Sequence, residues 1–355
     1  MRDQSPEAVG IRYLRWLRRR ARELLALGAN RYGYALVREG GDKQLDSRAD
    51  PSDFELIPRG CRAPFSTAEY DVLPKGGFDI VPHNYYSPIP DLSRLRDDIW
   101  VRHSDLGGVE MNLESGIDFV EIELARFIDE LEVPLEDPGT AGTFFLRNSG
   151  FESVDAELLY AMVRHARPAR IVELGSGYTS LLINVAARRN AADGSPTRHV
   201  AYDPYPREHV LGGALPDPTR LEAISATDVP LGIFEELEAG DILFVDTTHT
   251  VKLGSDVNFV VLDVLPRLRP GVLVHFHDIF LPWEYPRIWF EQMQYYWAEQ
   301  YLLQGFLAFN RDFAVLVPAH ALAREYPQRL GQVIPSFRPG VMPGSLWMRC
   351  NTPHP

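Results

Sequence analysis

Two short segments end in residues able to hold a cation and move a proton: FVDTTH, with Asp246 and His249, and VHFHD, with His277 and Asp278. In each, an apolar run of strand length precedes the polar residues, so these fall where a strand stops and a loop begins. Adjacent parallel strands lie about 4.8 Å apart, so if the two segments are neighbours in one sheet their terminal side chains meet. Two carboxylates and an imidazole at such a place suit a hard divalent ion that keeps positions open for substrate oxygens. A hydroxyl bound there loses its proton more readily, and His249, with an ordinary imidazole pKa of about 6.5, can take it as general base. Asp246, Asp278 and His277 are therefore candidate metal ligands, and His249 with Asp246 the candidate catalytic pair. The competing reading makes Asp246 and Asp278 caps of the following helices, with both histidines bonded to backbone. A single Asp–His pair favours that reading; two pairs at consecutive strand ends favour the site.

Upstream, RIVELGSGYTS spans residues 170–180 and reads as a strand ending in an acid, a Gly-x-Gly turn and a helix start. Gly175 and Gly177 let the backbone approach a ligand, and the helix N-terminus beyond them offers free N–H groups. A nucleotide-like ligand is expected there. The Gly-x-Gly-x-x-Gly of nicotinamide cofactors is not met, because position 180 is Ser180. The next strand ends in Asp203, whose carboxylate can accept both hydroxyls of a ribose or simply face solvent. Thr227 and Asp228 follow a third strand in SATDV. The Glu-x-Gly-x-Gly form resembles motif I of class I S-adenosylmethionine-dependent methyltransferases. That resemblance implies S-adenosylmethionine as cofactor, with Glu173, Gly175, Ser176 and Gly177 on its amino-acid and adenosyl parts. It further implies Asp203 on the ribose and Thr227 or Asp228 at the adenine edge.

The stretch LGIFEELEAGDILFVDTTHTVKLGSDVNFVVLDVLPRLRPGVLVHFHDIFLPWEYP, with WAEQYLLQGFLAFN after it and YYSPIPD before it, resembles one bacterial branch of these enzymes over most of residues 80–350. The Asp-x-x-His pattern followed by a strand-end Asp is also similar to the metal-dependent macrolide-sugar O-methyltransferases of the mycinamicin type. That similarity implies magnesium, or another divalent ion, on Asp246 and Asp278, with His249 as base. His277 is a departure, since those enzymes carry an acid before the second Asp.

The elements that must position these residues are legible as alternating strand and helix signals from residue 155 on. Asp155 is a plausible N-cap for AELLYAMVRHA. Strands are expected at 170–174, 199–203, 221–225, 241–246 and 271–277, with two more near residues 313 and 345 after a long aromatic helix over 288–310. Apolar runs spaced by helices mark a parallel sheet covered on both faces. The expected fold is α/β, a doubly wound Rossmann-like methyltransferase sheet of seven strands with the last antiparallel. Residues 1–150 read as a helical and loop extension forming a substrate-side lid, and 151–355 as the methyltransferase domain. In the extension, prolines stiffen a loop displaying Tyr85 and Tyr86, candidate substrate contacts. Trp283 and Tyr285 are further candidates, as walls of an acceptor pocket or equally as packing.

Composition limits the partners. The chain has 355 residues, 45% of them apolar, and a net charge of -13, which argues against nucleic acid because phosphate contact needs positive surface. Cys61 and Cys350 are too few for a disulfide framework or zinc ribbon. No apolar run is long enough to span a bilayer and MRDQSPEAVG lacks signal-peptide features, so a cytoplasmic protein is expected. Residues 11–22 carry six arginines, with Leu14, Leu17, Ala21, Leu24 and Leu25 repeating at helical spacing, while 105–137 hold eleven acids against Arg126 alone. The basic helix is expected to dock on an acidic neighbour rather than a membrane. Within the acidic stretch, Ile117, Val120, Leu124, Phe127, Ile128 and Leu131 recur at helical spacing, predicting a buried stripe with the charges outward. The function expected is O-methylation of a hydroxyl on a small or glycosylated metabolite, by a chain able to form homo-oligomers through its aromatic N-terminal region. Two alternatives compete with it: other S-adenosylmethionine chemistry, by sulfonium displacement or oxidation, and a non-catalytic scaffold of the same fold.

Overall fold

The computed structural model describes residues 34–38, 54–58, 88–213 and 215–351. The Arg-rich segment, Tyr85, Tyr86 and Cys61 lie outside the described residues. The chain divides into two compact units, residues 1–89 and 90–355. The first holds an antiparallel strand pair, Tyr34–Arg38 with Phe54–Pro58, in the register Leu36↔Leu56.

The second unit is built on a seven-stranded sheet. In chain order its strands are β1 (Arg170–Leu174), β2 (Arg198–Tyr202), β3 (Thr219–Glu222), β4 (Ile242–Val245), β5 (Leu273–Phe276), β6 (Phe313–Pro318) and β7 (Leu346–Cys350). Their spatial order is β3-β2-β1-β4-β5-β7-β6. β1 to β5 pair in parallel, and β7 runs antiparallel to both β5 and β6. This is the doubly wound class expected, with strand ends within three residues of those read from apolar runs.

Alternate residues explain why both faces are covered. Ile171, Ile242 and Phe244 join one buried cluster, while their neighbours Val172, Leu243 and Val245 join the other. A strand buried on both sides needs apolar residues at every position, and β4 supplies ILFV, buried throughout.

Helix α1 (Leu113–Phe119) continues through a π turn, Val120–Leu124, into Ala125–Asp129. The predicted stripe is buried up to Leu131, which is half-buried: Ile117, Val120, Leu124, Phe127 and Ile128 pack in one cluster with Leu158, Leu159 and Met162 of α2 (Asp155–Ala166). On the charged face Arg329 reaches Glu114 at 3.1 Å and Asp118 and Glu121 at 2.6 Å. Those three acids are thus answered by an arginine of the same unit instead of facing water alone.

Two local expectations are corrected. Asp155 is the first residue of α2 and not its N-cap; Glu157 Oε2 takes the Val154 N–H at 2.8 Å, leaving Asp155 to accept the Gly344 and Ser345 N–H groups at 2.9 Å each. The single helix over 288–310 is two: Arg287–Glu291, then α4 (Glu299–Leu307), following α3 (Tyr178–Ala192) in this numbering. Gln294, at φ 58°, lies in the left-handed region within the break, and no helix continues through such a residue. Among the described residues no helix is long and apolar enough to cross a membrane.

Candidate active site

The first half of the site is the turn after β1. Glu173 is fully buried, and its carboxylate accepts from Thr179 Oγ1, from Ser180 Oγ at 2.7 Å and from His199 Nε2 at 2.9 Å. Thr179 and Ser180 lie in the first turn of α3 and His199 lies in β2. Glu173 therefore clamps the turn to its two neighbours from beneath, with both oxygens used within the chain. Gly175 has φ 97°, and a Cβ there would sit 2.0 Å from the Asp246 carbonyl oxygen. Only glycine permits that approach, which brings the turn against the first residue beyond β4. A Cβ on Gly177 would meet open space. Ser176 Oγ donates to Asp203 Oδ2 at 2.6 Å and Tyr205 N to Asp203 Oδ1 at 2.7 Å. Gly175, Ser176, Gly177 and Asp203 are thus gathered at the adjacent ends of β1 and β2. Thr227 and Asp228 are exposed in the 3-10 turn Ala226–Asp228 after β3.

The second half lies beyond β4 and β5, which are hydrogen-bonded neighbours. His249 Nε2 is 3.3 Å from Asp246 Oδ1 and 3.6 Å from Asp278 Oδ2. His277 Nδ1 is 3.4 Å from the same Asp278 oxygen and 3.7 Å from the same Asp246 oxygen. The two carboxylates lie between two imidazoles, and ligand atoms of Asp246, His277 and Asp278 fall within 4.8 Å of one another, close enough to share one ion. His249 (φ 55°) and Asp278 (φ 58°) both occupy the left-handed region, a conformation that costs non-glycine residues about 1–2 kcal/mol and gathers at functional sites.

Charge and burial compete throughout this centre. Burial works against the His249 cation, but Asp246 and Glu299 outweigh it and hold its pKa up at about 10. For His277 burial is likewise outweighed, by Asp278 and Asp246, and its pKa lies well above the ordinary value. Asp246 is held below the usual carboxylate range, burial being overcome by His277 and His249.

Glu299 escaped the sequence reading. It is almost wholly buried at the start of α4, and its Oε2 accepts from His249 Nδ1 at 2.8 Å, while Oε1 has no hydrogen-bond partner. Ala298 N and Glu299 N donate to the His249 carbonyl at 2.9 and 3.2 Å, and the Trp297 ring lies 4.2 Å from the imidazole. One tripeptide thus grips the ring, its Nδ1 and its backbone. The one signal in the sequence was an acid in the first turn of a helix behind an aromatic run.

For Tyr285 and Trp283, where pocket wall and packing are equal readings of the sequence, the contacts are those of packing. Tyr285 is buried, its hydroxyl accepting from Gln300 N at 3.0 Å among Phe280, Trp289 and Trp297. Trp283 bridges to His103 and packs against His320 and Arg324. Both serve packing. The aromatic surface beside His249 is instead Trp297, with Tyr295 stacked on it at 4.9 Å.

Residues 172–279 match the family model described as a methyltransferase domain. An uncharacterized protein of Archaeoglobus fulgidus is 30% identical over 165 residues, 44% of this chain and 73% of its own length. Among similar solved structures, CmcI with SAH is 13% identical, with 64% of this chain and 92% of that chain covered and a TM-score of 0.34. The O-methyltransferase from Bacillus cereus in complex with SAH is 14% identical, with 68% and 91% covered and a TM-score of 0.33. Sheet order, glycine turn and matched residues define the class: an α/β chain with a methyltransferase domain over residues 172–279. Within that class the chain belongs to the same family as the A. fulgidus protein.

Proposed function

We propose that the chain transfers the methyl group of S-adenosylmethionine to a hydroxyl of a small or glycosylated metabolite, with His249 as base and a divalent cation beside it. The observation that carries this reading is His249 Nε2, held 3.3 and 3.6 Å from the two strand-end carboxylates, directly beyond the turn that Gly175 presses against Asp246. Gly175, Ser176 and Gly177 would hold the amino-acid and adenosyl parts, Asp203 the ribose, and Thr227 or Asp228 the adenine edge. Asp246, Asp278 and His277 fit a cation by donor type and spacing. When bound, a cation supplies positive charge that polarises an acceptor oxygen.

In the transfer, the methyl carbon leaves sulfur, which keeps the bonding electron pair, and bonds to the acceptor oxygen. His249 Nε2 can take the proton of that oxygen only as the neutral imidazole, so the carboxylate charge that holds its pKa up at about 10 would have to be offset by a cation on Asp246 and Asp278. Glu299 accepts the Nδ1–H and so fixes which nitrogen is turned to the acceptor, in the manner of a carboxylate behind a catalytic imidazole. Positioning is the other contribution, since methyl transfer needs in-line approach of oxygen to carbon.

Calorimetric titration with S-adenosylhomocysteine, with magnesium and after chelation, tests the cofactor part; no binding in either would overturn it. For the base, His249→Ala should lower turnover by at least about 100-fold while S-adenosylhomocysteine binds nearly unchanged. Joint loss of binding and turnover would make His249 structural.

A further inference from the structure

His277 makes only long polar contacts. Its side chain is 8% exposed, yet Nδ1 comes no nearer than 3.4 Å to Asp278 and 3.7 Å to Asp246, and Nε2 stays 3.8 Å from Asp155. Buried polar groups are ordinarily hydrogen-bonded, and these separations are longer than good hydrogen bonds. They are the separations of groups that share an ion: two donors about 2.1 Å from one centre at a tetrahedral angle lie about 3.4 Å apart. The ring is also fixed as a ligand would be. Phe151 packs on it at 5.0 Å, and Asp155 stands behind Nε2, itself anchored by the Gly344 and Ser345 amides. A carboxylate behind the far nitrogen is how proteins aim a ligating histidine.

We propose that this centre takes a first-row transition cation of the iron, cobalt, nickel or zinc kind, with His277 Nδ1 as a ligand beside Asp246 and Asp278, and that this imidazole favours such an ion over magnesium. The inference rests on the cation reading above and names the ion's chemistry. Magnesium demands oxygen donors in near-octahedral array and gives up its waters reluctantly, whereas imidazole suits the later, softer ions. His249 Nε2 faces the same two oxygens at 3.3 and 3.6 Å, but it falls outside the group of Asp246, His277 and Asp278 whose ligand atoms lie within 4.8 Å of one another, and it is kept as the base.

The test uses the metal-free full chain titrated with Co2+ and, in competition, Mg2+. Bound Co2+ should give one exchangeable imidazole N–H proton resonance shifted far downfield, the Nε2–H of His277. That resonance should vanish in His277→Glu and in His277→Gln and persist in His249→Gln. The ratio of Co2+ to Mg2+ affinity should fall by about tenfold or more in His277→Glu, where an oxygen donor replaces nitrogen. S-adenosylhomocysteine binding reports that each variant is folded. Bound Co2+ without the shifted proton, or a resonance lost with His249 and kept without His277, overturns this inference alone. A folded chain that binds neither ion overturns the cation part of the proposed function and this inference with it.

Discussion

Gly175 stands where no other residue fits, because the position a Cβ would take is 2.0 Å from the Asp246 carbonyl and the backbone is at φ 97°. Gly175→Ala must move either the turn or the end of β4. It should cost about 3 kcal/mol or more in urea unfolding and weaken S-adenosylhomocysteine by at least tenfold in calorimetry, since cofactor turn and cation residues shift together. Full affinity in this variant would mean that the turn does not touch the cofactor. Glu299 makes the opposite kind of prediction. Glu299→Gln keeps the shape and an acceptor for His249 Nδ1–H but removes the charge. Turnover should fall by roughly 10–100-fold, as for other carboxylates behind functional histidines, while cofactor affinity stays within about twofold. An unchanged rate would reduce Glu299 to packing.

At the scale of elements, the sequence is a good guide wherever one period dominates and a poor one where contacts distant in sequence decide. The inner strands were legible because burial on both faces demands mostly apolar runs such as ILFV and LVHF. Asp246, His249, His277 and Asp278 were legible because they terminate such runs. The segment 288–310 was not. Its aromatic residues suit a helix, but the chain breaks at 292–298 and restarts at Glu299, bringing Trp297, Ala298 and Glu299 onto His249. Nothing local announces a partner 50 residues away. Asp155 is a second case: its sequence position suggests a helix cap, but the N–H groups it serves belong to Gly344 and Ser345. Asp155→Ala would leave those two buried donors unpaired where the chain enters β7. At about 1–3 kcal/mol each, the loss should be about 2–6 kcal/mol in chemical denaturation, and a loss under 1 kcal/mol would show that water replaces the carboxylate.

For the molecule as a whole, the site falls where the strand order reverses, between β1 and β4, the crevice such sheets offer to ligands. The Gly175–Gly177 turn comes from one winding direction and Asp246, His249, His277 and Asp278 from the other, so the integrity of the sheet and the integrity of the site are one property. That property should be acid-sensitive through a group outside the site. His320 is buried on the helix Ala319–Glu325, with Nδ1 3.1 Å from the Pro343 carbonyl and its ring against Phe280 and Trp283. Burial pushes its pKa down to about 4; the Pro343 carbonyl and the Asp155 charge oppose the shift and the Arg324 charge adds to it. A histidine whose folded pKa lies below its unfolded value binds fewer protons when native. Its neutral form is therefore no burden above about pH 6.5, and stability is lost as pH falls from about 6.5 toward 4. Over that window the loss is about 3 kcal/mol. His320→Gln keeps a donor for the Pro343 carbonyl and cannot titrate. The drop in unfolding free energy between pH 7.5 and 4.5 should then be smaller by about 2–3 kcal/mol than in the parent chain, measured by urea denaturation at each pH. An equal drop in both proteins would assign the acid sensitivity to other groups, with the paired carboxylates of the site the first to examine.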